Sequence, residues 1–287
     1  MPKYYLDTGT LYNLSKLPES IQMESFYSIF GLIEIVAGIK ETEYYKRRAV
    51  LSTVIKSDVA CDYSFPEALI FRAFRVFDDY ELKEQREDDL LGIIDDVIHC
   101  GSFAEFQNKI LLSQRKFDFQ YFVDLDNFYS TNFIEASKKG MAEVRTALES
   151  ESSNRTVTLS GQTYDLSNRR SIINFLNSSL VNPSITLLTL VNEARRIGLS
   201  SLFDASEEQV YSTYNGLAKY YIDAWSAYST LQIINDRVPG RNDFQDLLHL
   251  LYLRDSSEIK IITDDRIFHK CIPEKAITIQ NVQSQVV

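Results

Sequence analysis

The chain has 287 residues, 45% of them hydrophobic and 24% charged, with a formal net charge of −10. That length can bury a full core, and the balance excludes wholesale disorder. Gly and Pro, at 10 and 6 residues beside 17 Tyr and 17 Phe, are too scarce for a turn-rich all-β sandwich, so long helices are expected.

Cys61, Cys100 and Cys271 form no CxxC and no Cys/His cluster, so neither a disulfide framework nor a zinc site is suggested. At His99-Cys100 the expectation is a partly buried thiol beside a surface histidine. No charged-then-apolar leader opens the sequence, and no apolar run reaches membrane-spanning length. The expectation is a cytoplasmic protein in a reducing setting, with no membrane contact.

In chain order, KYYLDT reads as a short buried strand that stops at Asp7. Leu11 to Leu17 reads as a short helix closed by Pro18, and SFYS, Ser25 to Ser28, as a second strand. IFGLIEIVAGI follows at helical spacing around one charge, Glu34. A long helix runs from about Glu41 to Lys56, a third strand starts at Val59, and Pro66 opens a further helix. From about Asp78 to Leu231 the pattern is almost wholly amphipathic helix, with turns near Gly101, Gly140, Asn182-Pro183 and Gly198. The polar stretch Ser150 to Arg170 reads as a loop, in which TVTLSGQTYDL can form a small hairpin. After Pro239-Gly240, Asn242 is placed to cap a helix from Asp243 to Leu253, with Gln245 at the capping-box position. SEIKIIT is then a strand ending at Thr263, and KAITIQ a last one.

The two ends therefore read as halves of one small parallel α/β sheet, residues 1–77 and 232–287, around an all-helical insertion, residues 78–231. In such sheets ligands bind outside the carboxyl ends of the strands. Four acidic places fall near that edge: Asp7, Glu34, Asp246 and Asp264-Asp265. Each has an ordinary explanation taken alone. Asp7 can cap the next helix, Glu34 can face solvent, Asp243 suits a helix start, and Asp264-Asp265 is turn chemistry after a strand. Converging carboxylates repel unless neutralised, and a hard divalent cation such as Mg²⁺ or Mn²⁺ is the natural neutraliser.

Together, and in this order, these segments resemble the PIN domain, a fold of toxin-type ribonucleases. YYLDT is similar to its opening strand with a first acidic residue, Asp7, and SIFGLIEIVAGI to the segment carrying the second, Glu34. NDFQDLLHLLYL resembles the helix with the third, aligned to Asp246, and IITDDRIF the Thr-x-Asp-x-x-Phe ending, which selects Asp265 and Thr263. The matched segments cover about the first quarter and last fifth of the chain. Typical members are about half this length, so the resemblance leaves the middle helices unexplained.

The resemblance implies a small parallel sheet flanked by helices, and a Mg²⁺- or Mn²⁺-dependent hydrolase of phosphodiesters, most readily an endoribonuclease acting on RNA. Asp7, Glu34, Asp246 and Asp265 would be catalytic metal ligands, with Asp264 and Asp243 as secondary candidates. Thr8 and Thr263 would support the ligands by hydrogen bonds, and Arg241 would contact phosphate. A toxin or defence nuclease held by an antitoxin-like partner fits the same features, and self-association stays open. The alternative is a non-catalytic PIN-like binding or scaffold module.

Other families that place an Asp here fit less well. Aspartic proteases resemble Asp7-Thr8-Gly9-Thr10 locally but are all-β, and a single-chain enzyme needs a second such motif, which is lacking. Haloacid-dehalogenase-type phosphatases want Asp where this chain has Gly9, and actin-like and sugar-kinase ATPases need further glycine phosphate loops. The acidic balance restricts any nucleic-acid contact to local basic clusters such as Lys46-Arg47-Arg48, Lys138-Lys139, Arg169-Arg170 or Arg195-Arg196. Phe117, Phe119, Tyr121, Phe122, Phe128 and Tyr129 can stack bases, but their spacing reads first as helix packing.

Overall fold

Three neighbouring pairs of residues set the two faces of the sheet. Side chains alternate across a strand, so Tyr5, Phe26 and Ile261 enter one buried core cluster while Leu6, Tyr27 and Ile262 enter the other. With both faces covered, the strands read as unbroken apolar runs, as parallel strands do.

The computed structural model of the chain describes residues 3–75, 80–149, 156–159, 162–165, 167–176, 212–235, 237–240 and 242–284. The strands are β1 (Tyr4–Leu6), β2 (Ser25–Ser28), β3 (Ala60–Asp62), β4 (Thr156–Leu159), β5 (Gln162–Asp165), β6 (Lys260–Ile262) and β7 (Ala276–Ile277). Five of them form one parallel sheet in the order β3-β2-β1-β6-β7. Three strands from the first portion of the chain and two from the last thus lie side by side in one sheet, joined where β1 pairs with β6 and Tyr5 is opposite Ile261. The order reverses between β1 and β6, and a ligand crevice is expected outside their carboxyl ends.

The helices are α1 (Thr8–Leu11), α2 (Glu19–Met23), α3 (Ile29–Ala37), α4 (Tyr44–Lys56), α5 (Pro66–Ala73), α6 (Tyr80–His99) and α7 (Phe103–Leu111). There follow α8 (Phe119–Glu149), α9 (Arg169–Leu176), α10 (Lys219–Ile234), α11 (Asp243–Asp246), α12 (Arg266–Cys271) and α13 (Ile279–Ser284). Local chemistry starts several of them. Ser28 caps α3 by accepting from Gly31 N, Ser102 caps α7 by accepting from Glu105 N, and Pro66 occupies the first turn of α5.

Pro18 ends the first helical stretch as expected, which splits into α1 and a 3₁₀ turn at Leu14–Lys16, and it also opens α2. Proline's fixed φ suits a helix entry as well as a stop. The segment between residues 78 and 231 is not all-helical: β4 and β5 pair antiparallel, with Val157 opposite Tyr164, in the stretch where a hairpin is one reading of the sequence. The turns expected at Asn182-Pro183 and Gly198, and Arg195-Arg196, lie outside the described residues.

Helices of the middle segment pack onto those that flank the sheet. Tyr129 of α8 meets Phe30 of α3 edge-on, with ring centres 5.5 Å apart, and its hydroxyl bonds Glu67. Glu67 is in turn paired with Arg86 of α6 at 2.7 Å, and the Arg86 guanidinium lies 3.8 Å from the centre of the Phe65 ring. Phe122 and Tyr129 are buried, and Phe117, Tyr121 and Phe122 pack on one another. These aromatics are helix-packing core. Among the described residues no helix is long and apolar enough to cross a membrane. Cys61, Cys100 and Cys271 are free thiols, and Cys100 is buried beside the exposed His99.

Candidate acidic site

At the carboxyl ends of β1 and β6 the chain opens into a cavity of about 530 Å³. Asp7, Glu34, Asp246, Asp264 and Asp265 all line it, together with Thr8 and His249. Four separate segments bring these residues together: the turn after β1, the middle of α3, the end of α11, and the turn after β6.

Asp7 does two things at once. Its Oδ1 accepts from Thr10 N at 2.6 Å, so it caps α1, and it is buried on the cavity floor. Burial pushes its carboxyl above the ordinary value, against the opposing pull of hydrogen bonds from Thr10 and Thr263 and of the charge on His249. Thr10 Oγ1 donates to Ile262 O at 2.7 Å, tying the turn after β1 to the end of β6.

Glu34 does not face solvent. Its side chain is 14% exposed, and it accepts from Thr8 Oγ1 and pairs with His249 Nε2 at 2.9 Å. Gln245 Nε2 reaches its other oxygen at 3.4 Å and also donates to Asp126 Oδ1 of α8 at 2.6 Å. The capping box expected between Asn242 and Gln245 is therefore absent: Asn242 makes no side-chain cap bond, and Gln245 serves the site instead.

Asp246 is the most perturbed carboxyl of the group. Burial, then the facing Glu34 and Asp265, push it up to about 8, with His249 opposing. Asp265 caps α12, accepting from Ile267 N at 2.9 Å, and its own N–H donates to Thr263 Oγ1 at 3.0 Å. Asp264 accepts from Ile279 N at 3.2 Å. Asp243 is not part of the cavity lining; it accepts from Gly240 N at 2.6 Å and from the Tyr228 hydroxyl, which makes it a local helix-start residue. Arg241 lies outside the described residues, and Arg266 is exposed and away from the lining.

The residue that sequence reasoning passes over is His249. It sits inside the apolar run LLHLLYL, which forms a fully buried 3₁₀ segment at Leu247–Leu253, and it is itself 3% exposed. Its ring lies against Phe30, with centres 4.8 Å apart. Nδ1 is 2.6 Å from the Tyr5 hydroxyl, which is 2.7 Å from Ser28 Oγ. Burial lowers the His249 pKa and Glu34 raises it; the raising wins. When the ring is protonated both nitrogens donate, Nε2 to Glu34 and Nδ1 to Tyr5, which leaves the Tyr5 hydroxyl proton for Ser28. The available signal was a lone polar residue in an otherwise apolar buried run.

The Lys46-Arg47-Arg48 cluster is divided by its helix. Lys46 and Arg47 line the acidic cavity with Tyr12, while Arg48 turns away and donates to Ile98 O at 2.9 Å. Arg47 donates to Glu34 O at 3.1 Å and Ile35 O at 2.9 Å, clasping the carboxyl-terminal half of α3. A Cβ at Gly38 would overlap that guanidinium, so glycine is needed there for the close approach.

The donor set consists of carboxylate oxygens on a shared concave floor, where burial first and then the facing Glu34 and Asp265 disfavour the charged form of Asp246. Both features fit a hard, oxygen-ligated divalent cation. Among the described residues, however, no three His, Cys, Asp or Glu side chains stand close enough together to hold a metal ion as they are oriented. Their oxygens are turned instead to Thr8, His249, Thr10 N and Ile267 N. The chain matches no family model, no curated protein and no solved structure.

Proposed function

We propose that the chain is a divalent-cation-dependent phosphodiester hydrolase, acting on RNA, on a PIN-like fold. The observation that supports this most is that Asp7, Glu34, Asp246 and Asp265 share one cavity at the sheet's switch point. These four would hold Mg²⁺ or Mn²⁺ after side-chain rotation, with Asp264 at the margin. A cation bound there would supply Lewis-acid polarisation of a phosphoryl oxygen and a lowered pKa for water.

The chain's own residues supply orientation. Thr8 and His249 fix the Glu34 carboxylate from two sides, and Tyr5 and Ser28 hold the imidazole ring in place. Thr263 sets the turn that presents Asp265. The low-dielectric floor strengthens any charge interaction made with a reacting phosphate.

One observation favours a second reading, a non-catalytic binding module. Glu34 is already satisfied by Thr8, His249 and Gln245, and the carboxylates are not gathered in coordinating positions. Calorimetric titration of Mn²⁺ separates the two. The hydrolase reading expects saturable binding that Asp7→Asn and Asp246→Asn each weaken at least tenfold, and absence of binding by the unsubstituted protein sinks it.

A further inference from the structure

Two cations that line the acidic cavity lie over one aromatic ring of its wall, Tyr12: Lys46 and, with its Cζ 5.9 Å from the ring centre, Arg47. Lys46 Nζ lies 5.3 Å from the centre of the Tyr12 ring, and its side chain is 65% exposed. Its charged neighbour, Glu43, is 3.7 Å away and itself exposed, a separation and setting that fix it weakly. The adjacent Arg47 guanidinium is committed to the Glu34 and Ile35 carbonyls. Of the two cations on this wall, Lys46 is therefore the one free to follow a ligand.

A polyanion approaching this cavity faces the floor carboxylates, Glu43 and a protein of net charge −10. Like charges at close range are unfavourable, so productive binding needs local positive charge beside the floor. Lys46 supplies it within the same cavity, and its ammonium lies over the half-buried Tyr12 ring, so a Lys46 side chain that swings to a phosphate uncovers ring face for a base. Phosphate and base are adjacent in a single strand, and a cation beside an aromatic platform is the usual recognition pair for one.

We infer that Lys46 and Tyr12 form a subsite for single-stranded nucleic acid, Lys46 holding the phosphate next to the one over the acidic floor and Tyr12 stacking its base. Arg47 is a positioning residue: it holds α3, and with it Glu34, at a fixed distance from the wall. This inference rests on the hydrolase reading for the identity of the floor, but it concerns binding and is tested without turnover.

The test is fluorescence anisotropy of a labelled ten-nucleotide single-stranded RNA with the full chain, in Ca²⁺, a hard cation that neutralises carboxylates. Lys46→Ala is expected to weaken binding about fivefold and to flatten the log Kd against log salt slope by about 0.7, the value for one phosphate contact on a single strand. Lys46→Arg restores both. Tyr12→Leu, which keeps an apolar body, weakens binding at least about fivefold, the lower bound for one stacked base. Lys56→Ala, an exposed change on the same helix but outside the cavity, leaves binding unaltered.

Loss of affinity in Lys46→Ala with an unchanged salt slope overturns the inference, as does equal binding by the Lys46→Ala and unsubstituted proteins. Failure of the unsubstituted protein to bind overturns it as well, and so does preference for the duplex over the single strand. Lys46-dependent binding without cleavage in Mn²⁺ supports the subsite while removing the hydrolase.

Discussion

His249 Nε2 lies 2.9 Å from Glu34 Oε2, deep in the cavity floor, with Tyr5 on the far side of the imidazole at 2.6 Å. This pair is the only charge compensation that Glu34 shares with a buried neighbour in the described floor. His249→Ala removes it and opens space beside Phe30, at an expected loss of about 2–4 kcal/mol. His249→Gln keeps a donor toward Glu34 and loses less. Urea unfolding of both variants checks this through the midpoint at constant slope; equal losses would contradict the pairing account.

Asp246→Asn is expected to act in opposite directions on stability and on cation binding. Burial and the repulsion of Glu34 and Asp265 disfavour an ionised Asp246. Its amide removes that strain, with a gain of about 1 kcal/mol, or roughly 2 °C in Tm. Mn²⁺ affinity falls in the same variant. A drop in Tm would show that Asp246 makes stabilising contacts rather than tolerating unfavourable ones.

Gly38 and Arg47 act through one clasp. Gly38→Ala displaces the guanidinium, and Arg47→Ala deletes it; either way the Glu34 and Ile35 carbonyls lose their donor. Each substitution is expected to cost about 1–3 kcal/mol. The double variant should cost little more than the worse single one, because the two changes break the same bonds. Additive losses in a thermal-unfolding cycle would show two separate roles.

How much of this was legible in the residues differs from element to element. Tyr5-Leu6 and Ile261-Ile262 announced two-sided strands, because continuous apolar runs bounded by turns are what a covered parallel sheet requires. The turns after β1 and β6 followed from those strands, and with them the placement of Asp7 and Asp265. The destination of Gln245 was not readable, since a capping-box pattern and a long-range bond to Glu34 use the same side chain. His249 was hidden for a related reason. A histidine in LLHLLYL looks like an interruption of an apolar stripe until the fold sets Glu34 and Tyr5 at its two nitrogens. The β4–β5 hairpin was legible as one reading of TVTLSGQTYDL, whose two short runs pair antiparallel.

Acid should loosen the join between α6, α7 and the loop leading into α8 only after it has reached the floor, because Asp7 and Asp246 are raised and Asp96 is lowered. Burial pushes the Asp96 carboxyl up, but Arg115 at 2.6 Å and Lys109 at 2.7 Å outweigh it and hold it below the ordinary 3.8. A folded value below the unfolded one means that the stabilisation is present above the unfolded pKa and is lost as pH falls through the folded one. Asp96→Asn is expected to cost about 1.5–3 kcal/mol at pH 7. The difference from the unsubstituted protein should shrink at a pH below the reference carboxylate value. Urea midpoints at the two pH values read this directly; a difference independent of pH would mean that shape, not charge, holds the join.

The central claim is that the four floor carboxylates serve phosphodiester hydrolysis, and cleavage of labelled single-stranded RNA and DNA in Mn²⁺, Mg²⁺ or EDTA tests it most directly. The account predicts cutting of RNA in Mn²⁺ or Mg²⁺, none in EDTA, and a loss of at least a hundredfold in both Asp7→Asn and Asp246→Asn. Cutting that persists in EDTA or in both variants would contradict it, as would inactivity of the unsubstituted protein on every substrate.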